Sequence, residues 1–315
     1  MTRSVLPLLP VLLGLAALWV GTAVALRGAS RMSGRDTAWE VVVGLTVLGV
    51  GTALPEVGVT AAALASATPM GPLSGLIIGT VLGSVLARAT LVLGLARLTG
   101  TAEARAAPHE TRAPVLVTTI AAVWVLSSDG SLGRLDGALL LAAWAALQTM
   151  RTRGGVNRVR GTASGTPLLP DAFLVALGGV ILAGAAWWIV PDVLALADVW
   201  AVSPLVIGLL LLGTGTSLPE LIFALSAATR GRVALSPASV LATGTVGLLL
   251  PLGLAGLVSP LHVEVLTLRV DLPALAIPAV VLWGWERRAT TLTSRRALLL
   301  VLYFLAFALL RMLLG

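Results

Sequence analysis

Two glutamates stand where a carboxylate is hardest to keep. Glu56 closes the segment GTALPE (51–56) and Glu220 closes GTSLPE (215–220), each near the middle of a long apolar stretch. An acidic side chain at the centre of a bilayer costs about 2.5–3.5 kcal/mol on insertion scales, and such residues usually mark an ion pathway. A proline precedes each glutamate, Pro55 and Pro219. Proline lacks the N–H that would bond the preceding turn and clashes with it. The carbonyls of Gly51, Thr52, Gly215 and Thr216 are therefore expected to lose helical donors and, in hydrocarbon, to face protein, water or an ion. With the hydroxyls of Thr52, Thr216 and Ser217, the two segments form a set of hard oxygen ligands. Such a set suits calcium or sodium rather than soft metals.

The elements that hold these segments follow from composition. The chain has 315 residues, 57% hydrophobic and 11% charged, with a mean hydropathy of +1.01. Soluble domains carry about 25% charged residues, so a soluble enzyme is excluded. A nucleic-acid binder is excluded too, because the +7 net charge lies on no polar domain. The absence of cysteine removes disulfides, thiolate catalysis and iron–sulfur clusters. What remains is an all-α polytopic membrane protein in the lipid bilayer. Apolar stretches of spanning length fall at 5–26, 38–66, 72–97, 113–128, 134–150, 171–190, 199–229, 235–258, 263–285 and 296–314. The first is too long for a signal-peptide core and is read as a helix.

The connections support about ten transmembrane helices. One alternate set holds Arg27, Arg31, Arg35, Arg97, Arg105, Arg112, Arg151, Arg153, Arg158, Arg160, Arg230, Arg232, Arg287, Arg288, Arg295 and Arg296; the opposite set holds only Arg3, Arg134, Arg269 and Arg311. By the positive-inside rule, both termini are expected outside a prokaryotic cytoplasmic membrane, with 151–170 as a flexible cytoplasmic linker.

The chain also repeats itself. VVGLTVLGVGTALPE (42–56) and VIGLLLLGTGTSLPE (206–220) share ten of fifteen positions, and later segments align at a shift of 159. The halves, 1–150 and 171–315, hold five spans each, and an odd number forces the second to enter the membrane inverted. Two inverted five-helix repeats are a transporter plan whose sites lie at midplane between the repeats.

With these segments in these positions, the chain resembles the sodium/calcium exchanger branch of the calcium:cation antiporters. The resemblance implies a calcium site at Glu56 and Glu220 with the backbone carbonyls of Thr52 and Thr216. It maps sodium ligands to Ala53 and Ser217, and hydroxyls on the partner helices to Ser84 and Thr243. Calcium, sodium or protons are then transported substrates, with no cofactor and no obligate protein partner. The chain departs from the family pattern where GTVLGSV (79–85) and ASVLATG (238–244) lack its asparagines, and where Ala53 replaces a serine. Four residues beyond Ser84 and Thr243, where the family has Asn or Asp, stand Arg88 and Gly247.

Arg88 lies inside a span, on the helix face of Ser84, and is expected to reach Glu56 or Glu220. Gly75, Gly79 and Gly83 repeat at the same four-residue spacing and should admit a close neighbour. Two glutamates and one arginine leave a charge of −1, and arginine does not deprotonate in proteins. Three readings follow: a sodium/calcium exchanger-like antiporter, a monovalent cation/proton exchanger with Arg88 in place of one bound cation, and a transport-dead homologue. An intramembrane hydrolase lacks a base or an aspartyl dyad within the spans. Asp271, in RVDLP (269–273), has Arg269 as a candidate partner, and its match to the family pattern leaves a structural role open.

Overall fold

The structure, a computed structural model, describes residues 8–33, 50–66, 68–99, 113–156, 168–229, 237–288 and 291–314. All ten apolar stretches contain helix. In the first half these are α1 (Leu8–Ser33), α2 (Leu54–Ala65, entered through a tight turn at Gly51–Ala53), α3 (Met70–Thr99), α4 (Ala113–Leu126) and α5 (Arg134–Val156). The second half holds α6 (Leu168–Trp200), α7 (204–229), α8 (Pro237–Val258), α9 (Thr267–Arg287) and α10 (Ser294–Leu314). Wide π-helical turns interrupt α3 at Arg88–Val92 and α7 at Gly208–Leu212, and another opens α9 at Thr267–Asp271.

Several boundaries differ from expectation. The sixth helix does not stop at 190 but passes through Pro191 to Trp200; proline is tolerated within membrane helices, where freed carbonyls find other partners. It ends where Ala201 turns left-handed (φ 53°) and the Val202 N–H reaches back to the Ala197 carbonyl at 3.1 Å, a Schellman closure. The seventh helix therefore starts at Pro204 rather than 199. The expected linker at 151–170 is shorter in the structure, because α5 runs to Val156 and α6 starts at Leu168; residues 157–167 lie outside the described set.

Lipid tails are as apolar as leucine, so close packing of small residues holds membrane helices together. That is how α3 meets α7. A Cβ on Gly83 would overlap the Leu209 carbonyl and stand 2.7 Å from the Leu209 Cα, and one on Gly213 would stand 2.6 Å from the Ser84 nitrogen. The backbones of the two repeats thus touch directly beside Ser84. Gly83→Ala is expected to push them apart and to cost more than about 3 kcal/mol, the range of severe overpacking. A monodisperse gel-filtration peak and an unchanged unfolding temperature would refute this. On the periphery, Gly14, Gly21 and Gly28 let α1 lie antiparallel against α6, facing Ile189, Leu182 and Val175.

One small ladder tests the connectivity. Ser131–Leu132, between α4 and α5, pairs antiparallel with Leu261–His262, between α8 and α9. The His262 N–H also donates to Ser74 Oγ, near the start of α3, at 3.1 Å. Ten alternating spans put these three places on one face, as observed.

Asp271 does not pair with Arg269. Residues two apart on a helix face different ways, and Arg269 points outward while Asp271 is buried. Asp271 Oδ1 instead accepts from Nε of Arg311 on α10 at 2.9 Å, and Arg311 Nη2 lies 3.8 Å from Glu264 Oε2. Arg311, assigned from sequence to an exposed end, is a buried tie between α9 and α10.

Candidate functional site

The face of α3 that touches α7 carries the chemistry. The π-helical turn at Arg88–Val92 starts at Arg88, and the Arg88 side chain is 1% exposed. Its Nε donates to the Ser84 carbonyl at 3.2 Å and its Nη2 to Ser84 Oγ at 2.9 Å, which fix the fork along its own helix. Beyond these, Nη2 also donates to Glu56 Oε1, and Nη1 donates to Glu220 Oε1 at 3.4 Å. One guanidinium therefore joins the two repeat glutamates, as its place on the Ser84 face predicts.

The two carboxylates are not equivalent. The Glu56 side chain is fully buried, whereas that of Glu220 is 21% exposed. Thr216 Oγ1 lies 3.1 Å from the Gly213 carbonyl of its own helix and 3.4 Å from Glu56 Oε1, so one proton is shared between its helix and the carboxylate of the other repeat. Among the described residues, Glu56 Oε2 is buried with no hydrogen-bond partner. Such an oxygen normally implies a ligand, water or proton.

Ser217 Oγ donates to the Ser84 carbonyl at 3.2 Å and the Gly213 carbonyl at 3.0 Å. Ser84, Arg88, Thr216, Ser217, Glu56 and Glu220 thus form one connected cluster. Thr243 stands outside it, its hydroxyl spent on the Val240 carbonyl of its own helix at 3.1 Å. Ala53 is buried and offers no hydroxyl. Thr52 lies in the turn at Gly51–Ala53, and its side chain is outside the described set.

Gly247 lies against Arg88. A Cβ there would stand 3.4 Å from Arg88 Nη2 and 3.4 Å from Val85 Cγ2, in ordinary contact with both. The repeat positions 88 and 247, alike by symmetry, have diverged into a large cation and a small neighbour. Gly247→Ala should be nearly neutral. Gly247→Val should displace the guanidinium and lower stability by about 1–3 kcal/mol, an effect that disappears when Arg88 is also replaced by Asn. Thermal unfolding of the three variants checks this.

The prolines meet the expectation in one repeat and not in the other. The Gly51 carbonyl is not free: it accepts from the Leu54 N–H, because the chain tightens into a 3-10 turn before Pro55. In the second half, the helix from Gly213 to Thr229 continues through Pro219, and the Gly215 carbonyl accepts from the indole Nε1 of Trp19 on α1 at 3.0 Å. Trp19 escapes sequence reading, because nothing local links positions 196 residues apart.

A helical membrane protein whose paired proline–glutamate segments meet between its halves has the plan of a membrane transporter. The sequence model of the sodium/calcium exchanger protein family matches residues 6–153 and 171–313, and the chain belongs to that family. It is 24% identical to the sodium/calcium exchanger MaX1 of Methanosarcina acetivorans, over 94% of this chain and 96% of that one. It is 28% identical to the inner membrane protein YrbG of Escherichia coli, over 78% and 79% of the two chains. Among solved structures, the sodium-calcium exchanger NCX_Mj soaked with 10 mM Na+ and 10 mM Sr2+ shares the fold. Its TM-score is 0.65 at 23% identity, covering 96% of this chain and 97% of that one.

Proposed function

We propose that this protein is a secondary active antiporter of monovalent cations, working by alternating access around Glu56 and Glu220, with Arg88 as a resident third charge. The observation that carries this reading is the guanidinium between the two carboxylates. A divalent ion held by both glutamates would have to share that space with a fixed positive charge. Two carboxylates and one guanidinium sum to −1, which one sodium ion or one proton neutralises. Glu220, the more exposed carboxylate, is the group that exchanges its cation; Glu56 holds Arg88. The same arrangement argues against a transport-dead scaffold, since the orphaned Glu56 Oε2 and the accessible Glu220 leave oxygen ligands uncommitted.

The placement of both termini outside and of 151–170 in the cytoplasm rests on the arginine asymmetry of the connections. The test of function is radiolabelled sodium uptake into proteoliposomes driven by an outward proton gradient. Uptake that collapses in Glu220→Gln, with the protein still folded, is the expected result. Uptake at the full rate in that variant would remove Glu220 from the mechanism.

A further inference from the structure

The two repeats carry the same defect and repair it in different ways. A proline at the fourth position after Gly51 or Gly215 deprives that glycine carbonyl of its helical donor. In the first repeat the backbone repairs itself by tightening, and the Leu54 N–H takes the Gly51 carbonyl. The second repeat stays helical through Pro219, and the missing donor comes from another helix: Trp19 Nε1 donates to the Gly215 carbonyl at 3.0 Å. The fit is local and tight. Leu15, one turn before Trp19, packs so closely on Gly215 that a Cβ there would stand 2.7 Å from its Cδ1.

We propose that Trp19 is a positioning residue for the Glu220 half of the cation site, its indole N–H standing in for the N–H that Pro219 lacks. Glu220 follows Pro219 directly, so the course of the backbone between Gly215 and Pro219 sets where its carboxylate lies. That course is held by α1. α1, to which none of Ser84, Arg88, Thr216, Ser217, Glu56 and Glu220 belongs, thereby sets the geometry of the more exposed carboxylate through a hydrogen bond to the second repeat.

The inference rests on the reading of Glu220 as a cation ligand, and its test keeps the two apart. Trp19→Phe keeps a smaller aromatic ring and removes the donor; Pro219→Ala returns a backbone N–H to the helix and makes the indole redundant. The readout is the sodium concentration giving half-maximal thermal stabilisation, so a variant that binds without transporting still reports. Trp19→Phe should raise it about fivefold, the worth of one hydrogen bond. In the Pro219→Ala background the same substitution should change it less than twofold. No change in the wild-type background, or an equal change in both, overturns the proposal. Glu220→Gln should abolish the sodium response; a response retained there overturns the cation-ligand reading instead. Should Trp19→Phe fail to fold, the 15N-indole resonances of the wild-type protein decide. One of them is expected to move on sodium addition, and a spectrum unchanged at saturating sodium overturns the proposal.

Discussion

Arg88→Asn is expected to make the stability of the protein depend on calcium. In the wild type the guanidinium neutralises one of two carboxylates that are buried or nearly so. Removing one partner of a buried ion pair costs about 3–5 kcal/mol, because the remaining charge is left uncompensated. Without divalent cations, Arg88→Asn should lose stability of that order. The site it leaves has charge −2, two carboxylates, the unpartnered Glu56 Oε2 and the Ser84 hydroxyl. Calcium should bind there, and at a hundredfold excess over its dissociation constant should return about 2.7 kcal/mol. The wild type should gain little from calcium at the same concentration. Thermal unfolding in detergent, with calcium and with a chelator, measures both. Equal calcium stabilisation of the two proteins would mean that the arginine does not occupy a cation position.

The second large effect separates the two glutamates. Glu56→Gln and Glu220→Gln should both abolish exchange, but only the first should damage the fold. Glu56 is wholly buried and receives both Arg88 and the Thr216 hydroxyl. Its loss leaves the guanidinium beside an amide with only the longer Glu220 contact, with a cost again of about 3–5 kcal/mol. Glu220 holds Arg88 at 3.4 Å and is 21% exposed, so its loss should cost less than about 2 kcal/mol, in the range of one hydrogen bond to a charged group. Chemical denaturation of the two variants in matched detergent gives the comparison. A larger loss in Glu220→Gln than in Glu56→Gln would reverse the roles assigned to them.

Much of this site was legible in the chain because its logic is periodic. The duplicated GTALPE and GTSLPE segments locate the glutamates, and the spacing of four between Ser84 and Arg88 aims the arginine at them. The glycines at 75, 79 and 83 announce the contact with α7 that delivers Glu220. Other features depend on which helices meet, which one sequence does not encode locally. The carbonyls of Gly51 and Gly215, expected to lose their helical donors, find different partners, one through a backbone rearrangement and one in an indole from α1. Asp271 finds its cation 40 residues away on α10 rather than two residues away on its own helix. Gly247 reads as a lost ligand until Arg88 is seen lying against it.

The role of Arg88 as the cation that calcium would otherwise be is tested most directly by radiolabelled calcium uptake into proteoliposomes of wild type and Arg88→Asn, with sodium loaded inside. Negligible sodium-dependent calcium uptake is expected in the wild type and clear uptake once Arg88 is replaced. Sodium-dependent calcium uptake by the wild type at a rate matching or exceeding that of Arg88→Asn would contradict that role.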